Sequence, residues 1–419
     1  MGTPLRIDPE QRFSCSQCGR CCHRFDVVVS TAEIDLYRRR NAVAWFRDDR
    51  SDEADPDLST EAQQAKVEPF EPMPGMPALQ RIRKRADGAC GFLSANGRCR
   101  IHEELGAARK PLTCRLFPYA FHTAADGVVV TASFGCPTVA ANEGTPIGAK
   151  ESLIEIESLR REWFAANPQS TPCLQLVDGR IMEPRALFQL RRSLLTMFNR
   201  ESDDIRENIA RIAEALDDVT RQRVVALADD DFAEYVSLTL PHGATKKDAP
   251  PRRSPDRIVR MLQYGFLYAV TAIRADLEHP GQSKWRLRVM RLQLLAHFHG
   301  LAPGLARVRV AARARRRVDI NDPDIRPIVF HYLRSTLETL GAHGRPIVDE
   351  LSIAVSYLNA ACGLAAMTAD AAGRNVDRRI FIEALTEAAD VSHARHVVLD
   401  WVLKRLSAGT GALWHLSEV

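Results

Sequence analysis

Hydrophobic positions change rhythm along this chain. In the first third they come in short runs: residues 26–30 (DVVVS) predict a short strand, and CRIH and GVVVTAS, between Cys90 and Cys136, predict two more around the turn KPLTCRLFP. Ser30 with Glu33 three residues later forms a capping box, so a helix should open at TAEIDLYRRR. Residues 47–77 are acidic and proline-rich (RDDRSDEADPDLS, VEPFEPMPGMP) and read as a long surface loop. From Lys150 the spacing turns helical in ESLIEIESLRREWFAAN, which Pro168 stops. CLQLVDGRIM then reads as a hairpin turning at Asp178 and Gly179. Helices follow Glu183 and Ser202, the second running through IRENIARIAEALDDV.

These elements predict an α+β, mainly α fold: a small cysteine-rich domain with short strands, then a mostly helical body. The expected divisions are residues 1–149, a helical region with its hairpin at 150–240, a linker rich in Pro, Lys and Arg at 241–256, and a helical domain at 257–419. No internal repeat is found. At 419 residues and 45% hydrophobic composition the chain can bury large cores without cross-links. No stretch approaches the roughly 20 apolar residues of a bilayer span. The start, MGTPLRIDPEQRF, lacks an apolar signal core and carries Arg6 where a myristoylation signal wants Ser or Thr. A cytoplasmic location is therefore expected.

Cysteine placement changes the picture most. Cys15, Cys18, Cys21 and Cys22 fall in the run CSQCGRCC, and Cys90, Cys99, Cys114 and Cys136 follow, so eight of ten cysteines lie in the first third. A disulfide framework belongs to small secreted chains, which this is not. CxxCxxC is the spacing with which bacterial ferredoxins hold three corners of an iron-sulfur cube, their remote cysteine being followed by proline. Here Pro137 follows Cys136. Zinc is the other candidate, since a tetrahedral site asks for four soft ligands about 2.3 Å from the ion. All eight thiols are predicted ligands of zinc or of an iron-sulfur cluster, the [4Fe–4S] type foremost.

Several pieces together carry a family resemblance: CSQCGRCC, the strand and capped helix after it, CGFLSANGRCRIHEELGAARKPLTCRLFPY, and SFGCP. They resemble the YkgJ-like cysteine-cluster (CxxCxxCC) family of zinc- or iron-chelating domain proteins over about residues 13–137. More distantly they are similar to the flagellin lysine N-methylases. The resemblance implies metal binding through the eight cysteines. It also implies an alternative, transfer of methyl groups from S-adenosylmethionine to a protein lysine, although the compact knuckle departs from the wider spacing of the methylase branch.

Adjacent Cys21 and Cys22 project in different directions in most backbone conformations. A single ion using both is awkward, whereas a bridged cluster or two sites could use them. The preferred arrangement joins Cys15, Cys18 and one of Cys21 or Cys22 to one or more remote thiols; pairing stays open. Arg20, Arg24 and Arg115 adjoin ligand positions, where cations would offset thiolate charge. His23, His102 and His122 are nitrogen candidates, each set against an ordinary hydrogen-bonded histidine. Cys173 and Cys362 stand alone and read as buried hydrophobes.

Charge adds one further feature. The chain carries only +4, yet residues 281–317 hold Lys284, Arg286, Arg288, Arg291, Arg307, Arg309, Arg313, Arg315, Arg316 and Arg317 without one acid. The segment 284–317 is expected to be a solvated basic face, or a surface for an acidic protein, a phosphate-bearing ligand or nucleic acid; nucleic acid is the weaker reading, because no recognition motif or stacking aromatic set accompanies it. No P-loop, GxGxxG after a strand, HExxH, GxSxG or radical S-adenosylmethionine spacing is found. Gly363 and Gly373 read as close-packing helix positions. The sequence thus favours a metal-binding protein whose helical body recognises a partner, with the methylase-like enzyme as the alternative.

Overall fold

A computed structural model describes residues 4–46, 68–73, 76–124, 127–167, 174–177, 179–199, 204–240 and 318–391. The basic segment 284–317, the linker 241–256 and Cys173 lie outside them. Along the chain come β1 (Leu5–Ile7), β2 (Arg12–Phe13), α1 (Arg20–Arg24), β3 (Val28–Val29), α2 (Thr31–Arg39), β4 (Phe70–Met73) and β5 (Met76–Ile82). Then follow α3 (Arg100–Leu105), α4 (Leu112–Leu116), β6 (Tyr119–Ala124), β7 (Gly127–Ala132), α5 (Pro137–Ala140), β8 (Thr145–Pro146) and α6 (Lys150–Ala166). The remainder is helical: α7 (Pro184–Phe198), α8 (Ile205–Val219), α9 (Gln222–Val225), α10 (Asp229–Thr239), α11 (Arg326–Glu338), α12 (Ile347–Ala371) and α13 (Arg378–Val391). This is the α+β, mainly α class that the sequence predicts.

The chain forms two compact units, one of residues 14–120 with 150–167 and one of residues 1–13, 121–149 and 168–419. These do not coincide with the divisions read from composition: residues 121–149 group with the helical body, and α6 groups with the cysteine-rich part.

In the smaller unit β3, β5 and β4 make an antiparallel sheet. β4 and the first residues of β5 occupy sequence expected to be loop. Phe70 and Ile82 are register partners and both buried, so the apolar residues among the prolines are sheet positions. Ser30 and Glu33 close the predicted capping box at the start of α2. The core gathers Val27, Ile34, Phe92 and Ile101 around Tyr37, which is 0% exposed. Its ring lies 6.3 Å from those of both Phe70 and Phe92, and its hydroxyl donates to the Arg109 carbonyl at 2.8 Å.

The CRIH segment is a helix, not a strand. Cys99 precedes it in extended conformation, Glu103 sits in its first turn, and the Glu103 N–H donates to the Cys99 carbonyl. Four residues of alternation are too few to fix a period. KPLTCRLFP likewise contains α4 in place of a simple turn.

In the larger unit β1 joins β7 in parallel and β6 lies on the other side of β7, while β2 and β8 pair separately. GVVVTAS is the predicted strand, β7. The hairpin at 174–182 is minimal: Gln175 and Ile181 form an isolated bridge, and Gly179 takes φ 81°. The helix at 205 is capped by Asp204, whose carboxylate accepts from the Arg206 N–H.

α12 runs through the core of this unit, with Leu351, Val355, Leu358, Ala361 and Ala365 each at most 1% exposed. By length and composition it could cross a membrane, which corrects the reading that no stretch comes near such a span. Its apolar window is 72% buried within the protein, as suits a core helix. Cys362 and Gly363 are on it, Cys362 buried as expected.

Candidate metal centre

The knuckle begins as irregular chain and then turns sharply into α1. Gln17 (φ 55°) and Gly19 (φ 72°) take left-handed conformations. A Cβ on Gly19 would stand 3.2 Å from the Gly97 carbonyl oxygen and 3.6 Å from Leu93, so glycine is what allows the knuckle to close on the 93–97 turn. The Cys22 N–H donates to the Gly19 carbonyl at 2.9 Å, starting the helix, and the Cys22 carbonyl accepts from the Cys90 N–H at 2.8 Å. One remote thiol is thereby tied to the knuckle through backbone.

The other remote thiols are aimed by local structure. Cys90 and Cys99 each sit at an isolated bridge, with Lys84 and Leu93 respectively, at the ends of a tight loop. Ser94 holds that loop through the Arg98 carbonyl, to which its N–H donates at 2.8 Å and its hydroxyl at 2.7 Å, while the Arg98 N–H donates to Asn96 Oδ1 at 3.0 Å. Cys114 lies in α4, which is anchored by Thr113 Oγ1 donating to the Val28 carbonyl at 2.9 Å and Glu33 Oε1 accepting from the Leu112 N–H at 2.6 Å. Cys90 is in the core of this unit, and Cys22, Cys99 and Cys114 pack against that core.

The electrostatics show a single group. A hydrogen bond from the Cys22 thiol lowers Cys21 to about 6 despite burial, with help from the Lys110 charge, while Cys22, the donor, is raised by that bond and by burial. The two adjacent side chains therefore meet, contrary to the divergence expected from sequence. Burial pushes Cys90 up to about 12, raises Cys99 and raises Cys114 strongly; the charges of neighbouring cysteines add to each. Burial alone would lower the Lys110 ammonium, but the thiolates of Cys114, Cys15, Cys99 and Cys21 outweigh it and raise it. Cys15, Cys21, Cys99 and Cys114 thus act on Lys110, while Cys90, Cys99 and Cys21 act on Cys22, and Cys99 and Cys21 on Cys90. Stacked thiols raise one another because each added negative charge is unwelcome in a buried place, and a bound cation is what would relieve them.

Not every predicted site residue joins this group. Cys18 is exposed on the same loop. Cys136 belongs to the other unit, where it is buried at the start of α5. Arg115 is turned away from the thiols: its guanidinium pairs bidentately with Glu162 at 3.0 and 2.5 Å and its Nε donates to the Lys110 carbonyl at 3.1 Å. It positions Lys110, which sequence reasoning missed. Of the histidines, His102 has its pKa lowered by burial and by Lys110, and its Nδ1 is buried without a hydrogen-bond partner. His23 sits on α1, where its carbonyl accepts from Lys84 Nζ at 3.0 Å, and His122 is in the other unit. Among the described residues no three His, Cys, Asp or Glu side chains already close round one centre.

The donor set fits a thiophilic ion. It is soft, it is gathered from three separate pieces of chain, and it carries an ammonium to balance excess thiolate. Residues 14–137 match the family model CxxCxxCC, described as "Putative zinc- or iron-chelating domain". No curated protein and no solved structure matches the chain.

Proposed function

We propose, from the match of residues 14–137 to the CxxCxxCC model, that this protein binds zinc or an iron-sulfur cluster through the thiols of the knuckle, the 90–99 loop and α4. Cys15, Cys21, Cys22, Cys90, Cys99 and Cys114 would hold the metal, with Cys18 on the same loop. The observation that carries this reading is the bond from the Cys90 N–H to the Cys22 carbonyl at 2.8 Å, together with the packing of Cys22, Cys99 and Cys114 against the core that contains Cys90. The metal would supply the positive charge that lets buried thiolates persist; the protein supplies the gathering of ligands and their counter-charge. Six thiols exceed the four of a single tetrahedral ion, which favours a bridged centre in which Cys21 and Cys22 both take part.

Lys110 gives a direct test. It ligates nothing, yet outer partners of a metal site commonly contribute about 10- to 100-fold in affinity. Lys110→Met should therefore weaken metal retention by about that factor in competition with a chelator, with the fold retained by circular dichroism. Unchanged retention would remove Lys110 from the centre. Arg115→Met, which frees the Lys110 carbonyl and Glu162, should weaken retention less.

On this reading the helical body recognises a partner, and the basic segment 284–317 is where an acidic protein would dock. Association should weaken steadily as salt rises. Binding insensitive to salt between 50 and 500 mM, a range that shortens the screening length severalfold by the square-root dependence, would count against that docking mode.

A further inference from the structure

The larger unit contains a cluster of nitrogen and oxygen donors that the cysteine centre does not use. His122 on β6 and His343, in the turn between α11 and α12, have ring centroids 4.7 Å apart at an interplanar angle of 59°. Glu350, one turn into α12 and buried, brings Oε1 to 3.6 Å from His343 Nδ1. That separation is too long for a hydrogen bond. It is close to the distance of about 3.4 Å between two ligands held tetrahedrally about 2.05 Å from one ion. Two imidazoles on such an ion have centroids about 5 Å apart by the same geometry, adding roughly 1.1 Å from each nitrogen to its ring centre.

The surroundings hold these groups ready. Glu350 Oε2 accepts from the Gly341 N–H at 2.7 Å and Oε1 from the His343 N–H at 3.0 Å, so the carboxylate and the turn bearing His343 are fixed to each other. His122 Nε2 lies 3.2 Å from Thr131 Oγ1 on the neighbouring strand, leaving Nδ1 as its remaining donor. A metal-bound imidazole that gives its second nitrogen to an oxygen acceptor has this pattern. Burial, then the His343 charge, lowers His122 to about 4, so the ring is neutral, as a ligand must be. His343 is 45% exposed and gives an ion a way in.

We propose that His122, His343 and Glu350 form a second metal site, free of sulfur, for a divalent first-row transition ion. Two imidazoles and a carboxylate suit zinc, cobalt or nickel, and three protein ligands leave coordination positions open to water or a substrate. The three donors are not closed round one point, so binding requires the two imidazoles to turn about their side-chain bonds.

The test is titration of the metal-free, reduced full chain with Co2+, followed by bound cobalt and by absorption, because thiolate-bound cobalt shows sulfur-to-metal charge transfer and this site would not. His343→Ala, a change at an exposed position, and separately His122→Phe should each remove one equivalent of bound cobalt while leaving the charge-transfer intensity unchanged. Equal cobalt binding by His343→Ala and the unsubstituted chain would overturn the proposal, as would a loss confined to the charge-transfer band. The readout does not depend on the cysteine centre: if no charge transfer appears at all, the thiol reading fails while the histidine equivalent still stands or falls by itself.

Discussion

Replacing Cys21 and Cys22 together by serine should leave the protein without its thiolate metal and the smaller unit without stable order. Both residues sit at the convergence of the site: Cys21 carries the low-pKa thiol, Cys22 couples to Cys90 and Cys99, and the Cys22 carbonyl ties the knuckle to Cys90. Ligands drawn from separate pieces of chain are held together by the ion, so binding energy is folding energy; apparent values for structural zinc reach about 10–16 kcal/mol. The unit's own apolar core is small beside that of the helical body. Hydrogen exchange should then show residues 14–120 losing protection while amides around Leu190, Leu216 and Leu358 in the other unit keep theirs. Persistent protection of both units in the double variant, with metal still bound, would place the ligands elsewhere.

Tyr37→Ala should be the most damaging single change away from the thiols. The residue is fully buried, and its removal leaves a cavity between Phe70 and Phe92, for which about 3–5 kcal/mol is usual. It also strips the Arg109 carbonyl of its donor. That carbonyl immediately precedes Lys110, so the packing defect reaches the metal centre as a misplaced counter-charge. Tyr37→Phe separates the two effects: it keeps the ring, loses only the hydrogen bond and should cost about 1 kcal/mol. Urea unfolding of the metal-loaded protein measures both. Equal stability of the alanine and phenylalanine variants would show that the ring does not fill the core as described.

What was legible in the sequence was what is decided locally. Ser30 and Glu33 are three residues apart and the capping box forms; the long periodic runs at 150–166, 184–198 and 205–219 are helices because a dozen or more positions agree on one period. Short segments went astray because tertiary packing decides them. CRIH is helical through its first turn, and Phe70–Met73 pair as a strand where proline and acid content suggested loop.

The site divides the same way. Clustering of cysteines is visible in the sequence, but their geometry is not. Arg115 adjoins Cys114 in sequence, whereas its side chain reaches Glu162 and the cation at the thiols is Lys110, five residues before it. Nothing in the spacing marks Lys110, because its placement depends on Arg115 holding its carbonyl. Cys21 and Cys22 were expected to diverge, and a short helix with a thiol hydrogen bond brings them together. His122 drew notice for its closeness in sequence to the cysteines, yet its partners are His343 and Thr131.

On the proposed reading, thiols from the knuckle, the 90–99 loop and α4 hold one metal centre. Anaerobic purification followed by elemental analysis and an absorption spectrum tests it most directly, run side by side on the unsubstituted chain and on Cys99→Ser and Cys114→Ser variants. Zinc or iron is expected in stoichiometric amount in the unsubstituted protein, brown and absorbing in the visible if an iron-sulfur cluster is held and colourless if zinc, with a marked fall in that metal in each variant. Full metal content in both variants, or a metal-free protein whose smaller unit is nevertheless folded, would contradict it.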